Sequence, residues 1–267
     1  MSVDQIENVL SQSRKIPTIK WIYFEGGEPF LFYPVLVKGV EMARRRGFEV
    51  GVVTNAYWAT DEKDSVHWLK PLSRLGISDL SISVDEYHDG PESQRNAKNA
   101  RRAAKALGIP TSVLRVRSVP PYPCDGRRYR DEGDIYYRGR AAANLASKSK
   151  GKAWNTLNSC PEEPPDISRV HIDSFGNVQF CQGITLGNVW KKSLKDIMNE
   201  FDPGRHPLIG PLIRGGPVSM AKELGIKPER EYADECHMCY EIRRILRSQR
   251  KFRPILTPDQ AYGEALE

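Results

Sequence analysis

The chain has 267 residues, enough for one large domain or two modest ones, and its 39% hydrophobic and 28% charged content is that of a globular rather than a disordered protein. No run approaches roughly 18 consecutive apolar residues, and Met1 to Leu10 has neither a basic segment nor an apolar core, so the sequence predicts no membrane insertion, no secretion and a cytoplasmic location. The net charge of +6 is dispersed over helical segments such as Arg44 to Arg46 and Arg243 to Arg253 and mixed with acids, so nucleic acid is not an expected partner.

Ser2 followed by Gln5 reads as a capping box ahead of Ile6, Val9 and Leu10, so the chain is expected to begin with a helix. Thr18 to Phe24 reads as a strand, and a Gly-Gly turn then leads to a helix with Leu36, Val40 and Ala43 on one face, ended by Gly47. The cycle repeats: strand Glu49 to Thr54, helix Asp61 to Leu75 broken near Pro71, strand Asp79 to Val84, helix Pro91 to Leu107, strand Thr111 to Val116, and a short sixth at Ile135 to Tyr137. Glu25, Asn55, Asp85 and Arg115 stand 30 residues apart, the length of one strand-helix unit, which would bring four polar strand ends to one carboxyl edge. After about residue 150 the rhythm changes. Ser168 to Asp173 and Asn177 to Cys181 read as a hairpin around Ser174 to Gly176, followed by a helix from Ser193 to Glu200, a Gly/Pro-rich stretch from Pro203 to Pro217, and a helix beginning near Cys239.

Gly26-Gly27-Glu28-Pro29 after one strand, Thr54-Asn55 after the next and Ser83-Val84-Asp85 after the third occur in an order that resembles the radical S-adenosylmethionine (radical SAM) superfamily over residues 1–140. The resemblance implies a partial (β/α)6 barrel lacking its first strand. It also implies that Gly26, Gly27 and Glu28 meet the amino group of S-adenosylmethionine, that Asn55, Ser83 and Asp85 serve its ribose side, and that Arg115 or Arg117 binds its carboxylate. His88, just beyond a strand end, is a secondary catalytic candidate.

Cys160, fifteen residues, Gly176, four residues and Cys181, then Cys236-x-x-Cys239, is similar to the twitch form of an auxiliary-cluster domain, a small α+β unit related to the longer SPASM type. That resemblance implies one auxiliary 4Fe-4S cluster held by Cys160, Cys181, Cys236 and Cys239; four thiolates also suit zinc. Cys124 fits no ligand position. The expected organisation is a barrel over 1–150, a cluster domain over 151–245 and a tail over 246–267.

The family carries its radical-generating cluster on Cys-x3-Cys-x2-Cys, and no cysteine precedes Cys124. The expectation is therefore a chain truncated at its N-terminus, by a late start site, a split gene or degeneration, and inactive alone unless another polypeptide supplies that segment. In full-length form it would cleave S-adenosylmethionine reductively, with an electron donor, and abstract hydrogen from a peptide or small-molecule substrate. The alternative is a noncatalytic α/β binding module with a structural zinc site made by the four cysteines.

Overall fold

A computed structural model describes residues 1–84, 91–116, 132–133, 135–162, 164 and 167–263, which fall into two units, one within residues 1–134 and the other from Ile135 onward. In the first, α1 (Val3–Ser13) starts at the expected capping box: Gln5 N donates to Ser2 Oγ at 3.2 Å and Ser2 N donates to Gln5 Oε1 at 2.8 Å. Strands and helices then alternate as β1 (Trp21–Phe24), α2 (Tyr33–Arg45), β2 (Glu49–Thr54), α3 (Glu62–Leu75), β3 (Asp79–Ser83), α4 (Pro91–Ala106) and β4 (Thr111–Val116). The sheet is parallel in the order β1-β2-β3-β4, and the two-residue β5 (Glu132–Gly133) continues it beside β4. Parallel pairing brings the carboxyl ends of all four long strands to one edge.

Strand alternation divides this sheet into two chemically distinct faces. Val50, Val52, Leu80 and Ile82 are fully buried in the core, which also takes up Val113. The other face carries Trp21 and Tyr23, stacked at 5.7 Å and both exposed, together with Ser81 and Ser112, whose hydroxyls are 2.8 Å apart. Tyr23 lies across β2 at Gly51, where a Cβ would come within 2.2 Å of its ring, so a larger residue there would displace the tyrosine.

Two local expectations change. The α3 helix is not broken at Pro71 but continues to Leu75 and ends in a left-handed Gly76; its buried Ser65, Leu69 and Leu72 hold the face in register past the proline. Ile135 to Tyr137 is not a strand: Tyr137 N donates to Asp234 Oδ2, and this segment belongs to the second unit.

The second unit contains α5 (Arg140–Leu145), β6 (Lys152–Ala153), β7 (His171–Ile172), β8 (Asn177–Cys181), β9 (Ile184–Asn188), α6 (Leu194–Glu200), α7 (Ile209–Glu223), β10 (Glu231–Tyr232) and α8 (Glu235–Arg247). The expected hairpin is β7-β8, its turn organised by Asp173, whose Oδ1 accepts from Phe175 N and Asn177 N and whose Oδ2 accepts from the side chains of Asn177 and Gln179. β9 extends it into a three-stranded meander through the two-residue turn Gln182–Gly183, with Gly183 at φ 88°. The Gly/Pro-rich stretch turns out to hold α7, interrupted at Gly215 and Gly216 before Pro217 restarts it.

His206 stands where α7 begins. Its Nδ1 accepts from Leu208 N at 3.2 Å and Ile209 N at 3.1 Å, so the proton sits on Nε2, which is buried without a partner among the described residues. Burial pushes its pKa down from 6.5 to about 4. The folded form therefore resists a proton that the unfolded chain accepts, so this contribution to stability is complete above the unfolded value and is lost as pH falls from about 6.5 towards 4, by up to about 3 kcal/mol. Urea unfolding at pH 7 and pH 5 should show about 2 kcal/mol of that loss in the parent chain and much less in His206→Asn, whose amide oxygen still caps the helix.

Candidate functional site

At the carboxyl edge of the sheet, Gly26 (φ 88°) and Gly27 (φ 53°) both take left-handed conformations that side chains resist, although open space surrounds each Cα. This double turn delivers Glu28 inward, where it is 7% exposed and caps the short 3-10 turn Pro29–Phe32. Its Oε1 accepts from Phe30 N at 3.0 Å and Thr54 Oγ1 at 2.9 Å, and its Oε2 accepts from Asn55 N at 2.8 Å. Thr54 Oγ1 in turn accepts from Ala56 N and from Trp58 Nε1, both at 3.0 Å. The two sequence motifs are thus one hydrogen-bonded clasp between the ends of β1 and β2, backed by Phe30 stacked on Trp58 at 4.3 Å.

Asn55 Oδ1 accepts from Tyr57 N at 3.0 Å, bending the chain so that Ala56 adopts φ 59°. Ser83 ends β3 and shares the open face with Leu114, its partner in register. Arg115 alternates onto the face of Val113, so it and Ser83 lie on opposite faces of the sheet. Asp85, His88, Arg117 and Cys124 lie outside the described residues.

In the second unit, Cys160, Cys181, Cys236 and Cys239 line one cavity together with Glu162, Arg138 and Arg243. Three different local rules put them there. Cys181 closes β8 immediately before the Gln182–Gly183 turn. Cys236 and Cys239 occupy the first turns of α8, one turn apart on its buried side, where Asp234 caps by accepting from His237 N at 2.6 Å. Cys160 follows Asn158 and Ser159, whose backbone lies 2.5 Å from where a Gly216 Cβ would be, while Val218 N donates to Leu157 O. The break in α7 therefore makes room for the Cys160 loop.

Burial raises the thiol pKa values, to about 12 for Cys160 and about 11 for Cys239, and upward for Cys236, with neighbouring thiols adding to the effect for each. Arg243 and Arg138 oppose it at Cys239, and Arg138 at Cys236. Arg138 Nη1 donates to Glu162 Oε1 at 2.7 Å, and despite its own burial Glu162 is held below the usual carboxylate range by Arg138 and Arg169. Among the described residues no group of three or more His, Cys, Asp or Glu is arranged to hold a metal ion.

Trp58, Arg138, Glu162, Gly216 and Arg243 were not picked out by sequence reasoning, and Thr54 only as the neighbour of Asn55. Arg243 alone had a visible signal, a charge four residues after Cys239 on the helical face that also carries Cys236 and Tyr240.

Glu28→Gln should cost about 1–3 kcal/mol in urea unfolding, because the amide nitrogen would face a backbone donor that is now satisfied. Gly216→Ala should destabilise the second unit and expose the thiol of Cys160, read as faster alkylation of a cysteine identified by peptide mapping, since the new methyl meets backbone at 2.5 Å.

No family profile matches the chain. Two curated proteins are similar to parts of it. One, YydG of Bacillus subtilis, is assigned by name to peptide biosynthesis and is 30% identical over 88 residues, 33% of this chain and 28% of its own length. The other, a tungsten-containing aldehyde ferredoxin oxidoreductase cofactor-modifying protein of Pyrococcus furiosus, is 36% identical over 86 residues, 32% of this chain and 22% of its own. The chain is thus similar to about a quarter of each relative, both named for making or modifying another molecule.

Proposed function

We propose that this chain is the larger part of a radical SAM enzyme that modifies a peptide, or a small molecule of cofactor type, with a partial barrel in its first unit and an auxiliary 4Fe-4S cluster in its second. The observation that carries the reading is the convergence of four cysteines, 79 residues apart at the extremes, on one cavity that also receives two arginines. The donor set fits such a cluster: four thiols and no competing histidine line the space, and the arginines complement a net anionic centre.

In the first unit, Gly26, Gly27 and Glu28 are the residues offered to the amino group of S-adenosylmethionine. A carboxylate has about four acceptor sites and Glu28 spends three on the clasp, leaving one directed acceptor for an ammonium group. Asn55 and Ser83 stand at neighbouring strand ends for the ribose. Asp85 and Arg117 keep the roles that the resemblance gives them, as does Arg115 for the carboxylate, although its strand places it on the helix-covered face.

The chemistry supplied by the family's radical-generating cluster is one-electron cleavage of S-adenosylmethionine to a radical that takes hydrogen from substrate. The 267 residues contain no cysteine before Cys124, so that step draws its three-cysteine segment from outside them, with an external electron donor. The likeness to a protein named for peptide biosynthesis supports a peptide as substrate.

Anaerobic purification and reconstitution, followed by iron, sulfide and zinc analysis, should give about four iron and four sulfide per chain, lost in Cys236→Ala. About one zinc with no sulfide would overturn the cluster in favour of a structural zinc site.

A further inference from the structure

Arg243 is 1% exposed and lines the four-cysteine cavity, yet among the described residues no carboxylate pairs with it. Its donors reach neutral acceptors: Nε to Cys239 O at 3.3 Å, and Nη1 to Gln182 O at 2.8 Å and Tyr262 Oη at 3.4 Å. Tyr240 and Tyr262, stacked on each other at 5.6 Å, flank it with ring centroids each 5.7 Å from Cζ. Arg247, one turn on and also buried, has Asp259 at 2.7 Å. Arg138, the other cation on the cavity, has Glu162. A guanidinium does not give up its proton, and an unpaired charge is among the least favourable things to bury.

We infer that Arg243 is the fixed counter-ion of the thiolate-ligated centre and a determinant of its reduction potential. This rests on the iron-sulfur reading above. Four thiolates outweigh the charge of the core, so the assembled centre is an anion that becomes more negative when one electron enters from an external donor such as dithionite. No proton or bond is exchanged in that step. A positive charge held in the cavity wall favours the reduced form; the guanidinium is pinned by Gln182 and Cys239 carbonyls and cannot swing away to solvent.

The test compares the reconstituted parent chain with Arg243→Met and Arg243→Lys. Iron and sulfide are quantified and midpoint potentials measured by dithionite titration followed by electron paramagnetic resonance. Loss of the charge should lower the ratio of reduced to oxidised centre at fixed potential at least tenfold, a midpoint shift of about 59 mV to the negative for one electron, with Arg243→Lys closer to the parent. Coincident midpoints in three chains that all carry iron and sulfide would overturn the counter-ion role and leave the cluster standing. Absence of iron and sulfide from the parent chain would instead sink the cluster itself.

Thermal unfolding separates charge from packing. A counter-ion makes Arg243→Met lose part of the stabilisation gained on loading, whereas a purely structural arginine lowers metal-free and loaded forms equally, which counts against the inference. Where Arg243→Met does not fold, Arg243→Lys decides: a loaded centre with a midpoint near the parent supports the charge, and failure to load despite parent-like metal-free stability overturns it.

Discussion

The second unit is organised around four thiols, three of them buried, and the buried guanidinium of Arg243 in one small space. Cysteine buries readily as a small apolar residue, and arginine almost never does without a partner. The surrounding elements answer to that combination. The Gln182–Gly183 turn presents a carbonyl to Arg243, Tyr262 fixes the same turn by donating to Gly183 O at 2.7 Å, and the α8 face that carries Cys236 and Cys239 carries Arg243 one turn later. The interruption of α7 at Gly216 brings the remaining cysteine up against them. Each device is local, and each points into the same cavity.

The first unit follows a different rule. Its sheet is ordinary βα construction, and its distinctive part is a clasp in which a buried carboxylate is satisfied by two backbone amides and a hydroxyl. Such a group is tolerable in a core edge because both of its oxygens accept hydrogen bonds, and it ties together the ends of β1 and β2. The glycines before it supply the backbone turn without filling the space above it, which leaves the edge approachable.

Much of this could be read from the chain. The capping box at Ser2, the strands Glu49–Thr54 and Thr111–Val116 and the 30-residue rhythm are period and cap signals that tertiary structure had no reason to override. The clasp was legible only as two separate motifs, because no spacing rule says that Glu28 will reach Thr54. β9 was hidden because Gln-Gly is a weaker turn signal than Asn-Gly, and α7 because three glycines and two prolines inside it read as loop. Pro71 misled for the opposite reason: a buried helical face outweighed one missing donor. The cysteines announced themselves by spacing, whereas of the two arginines beside them only Arg243 carried a sequence signal, its place one turn after Cys239.

The four cysteines sit on elements held by contacts of very different range in sequence. Cys236 and Cys239 are one turn apart on a 13-residue helix, so that pair exists whenever α8 does, and Cys181 sits at a tight hairpin that forms from near neighbours in sequence. Cys160 arrives only when a long excursion of chain has closed and α7 has broken at its glycines. Of the four, Cys160 therefore owes its place to the most distant contacts in sequence, and a substitution that closed the break in α7 would displace it while leaving the other three on their own elements.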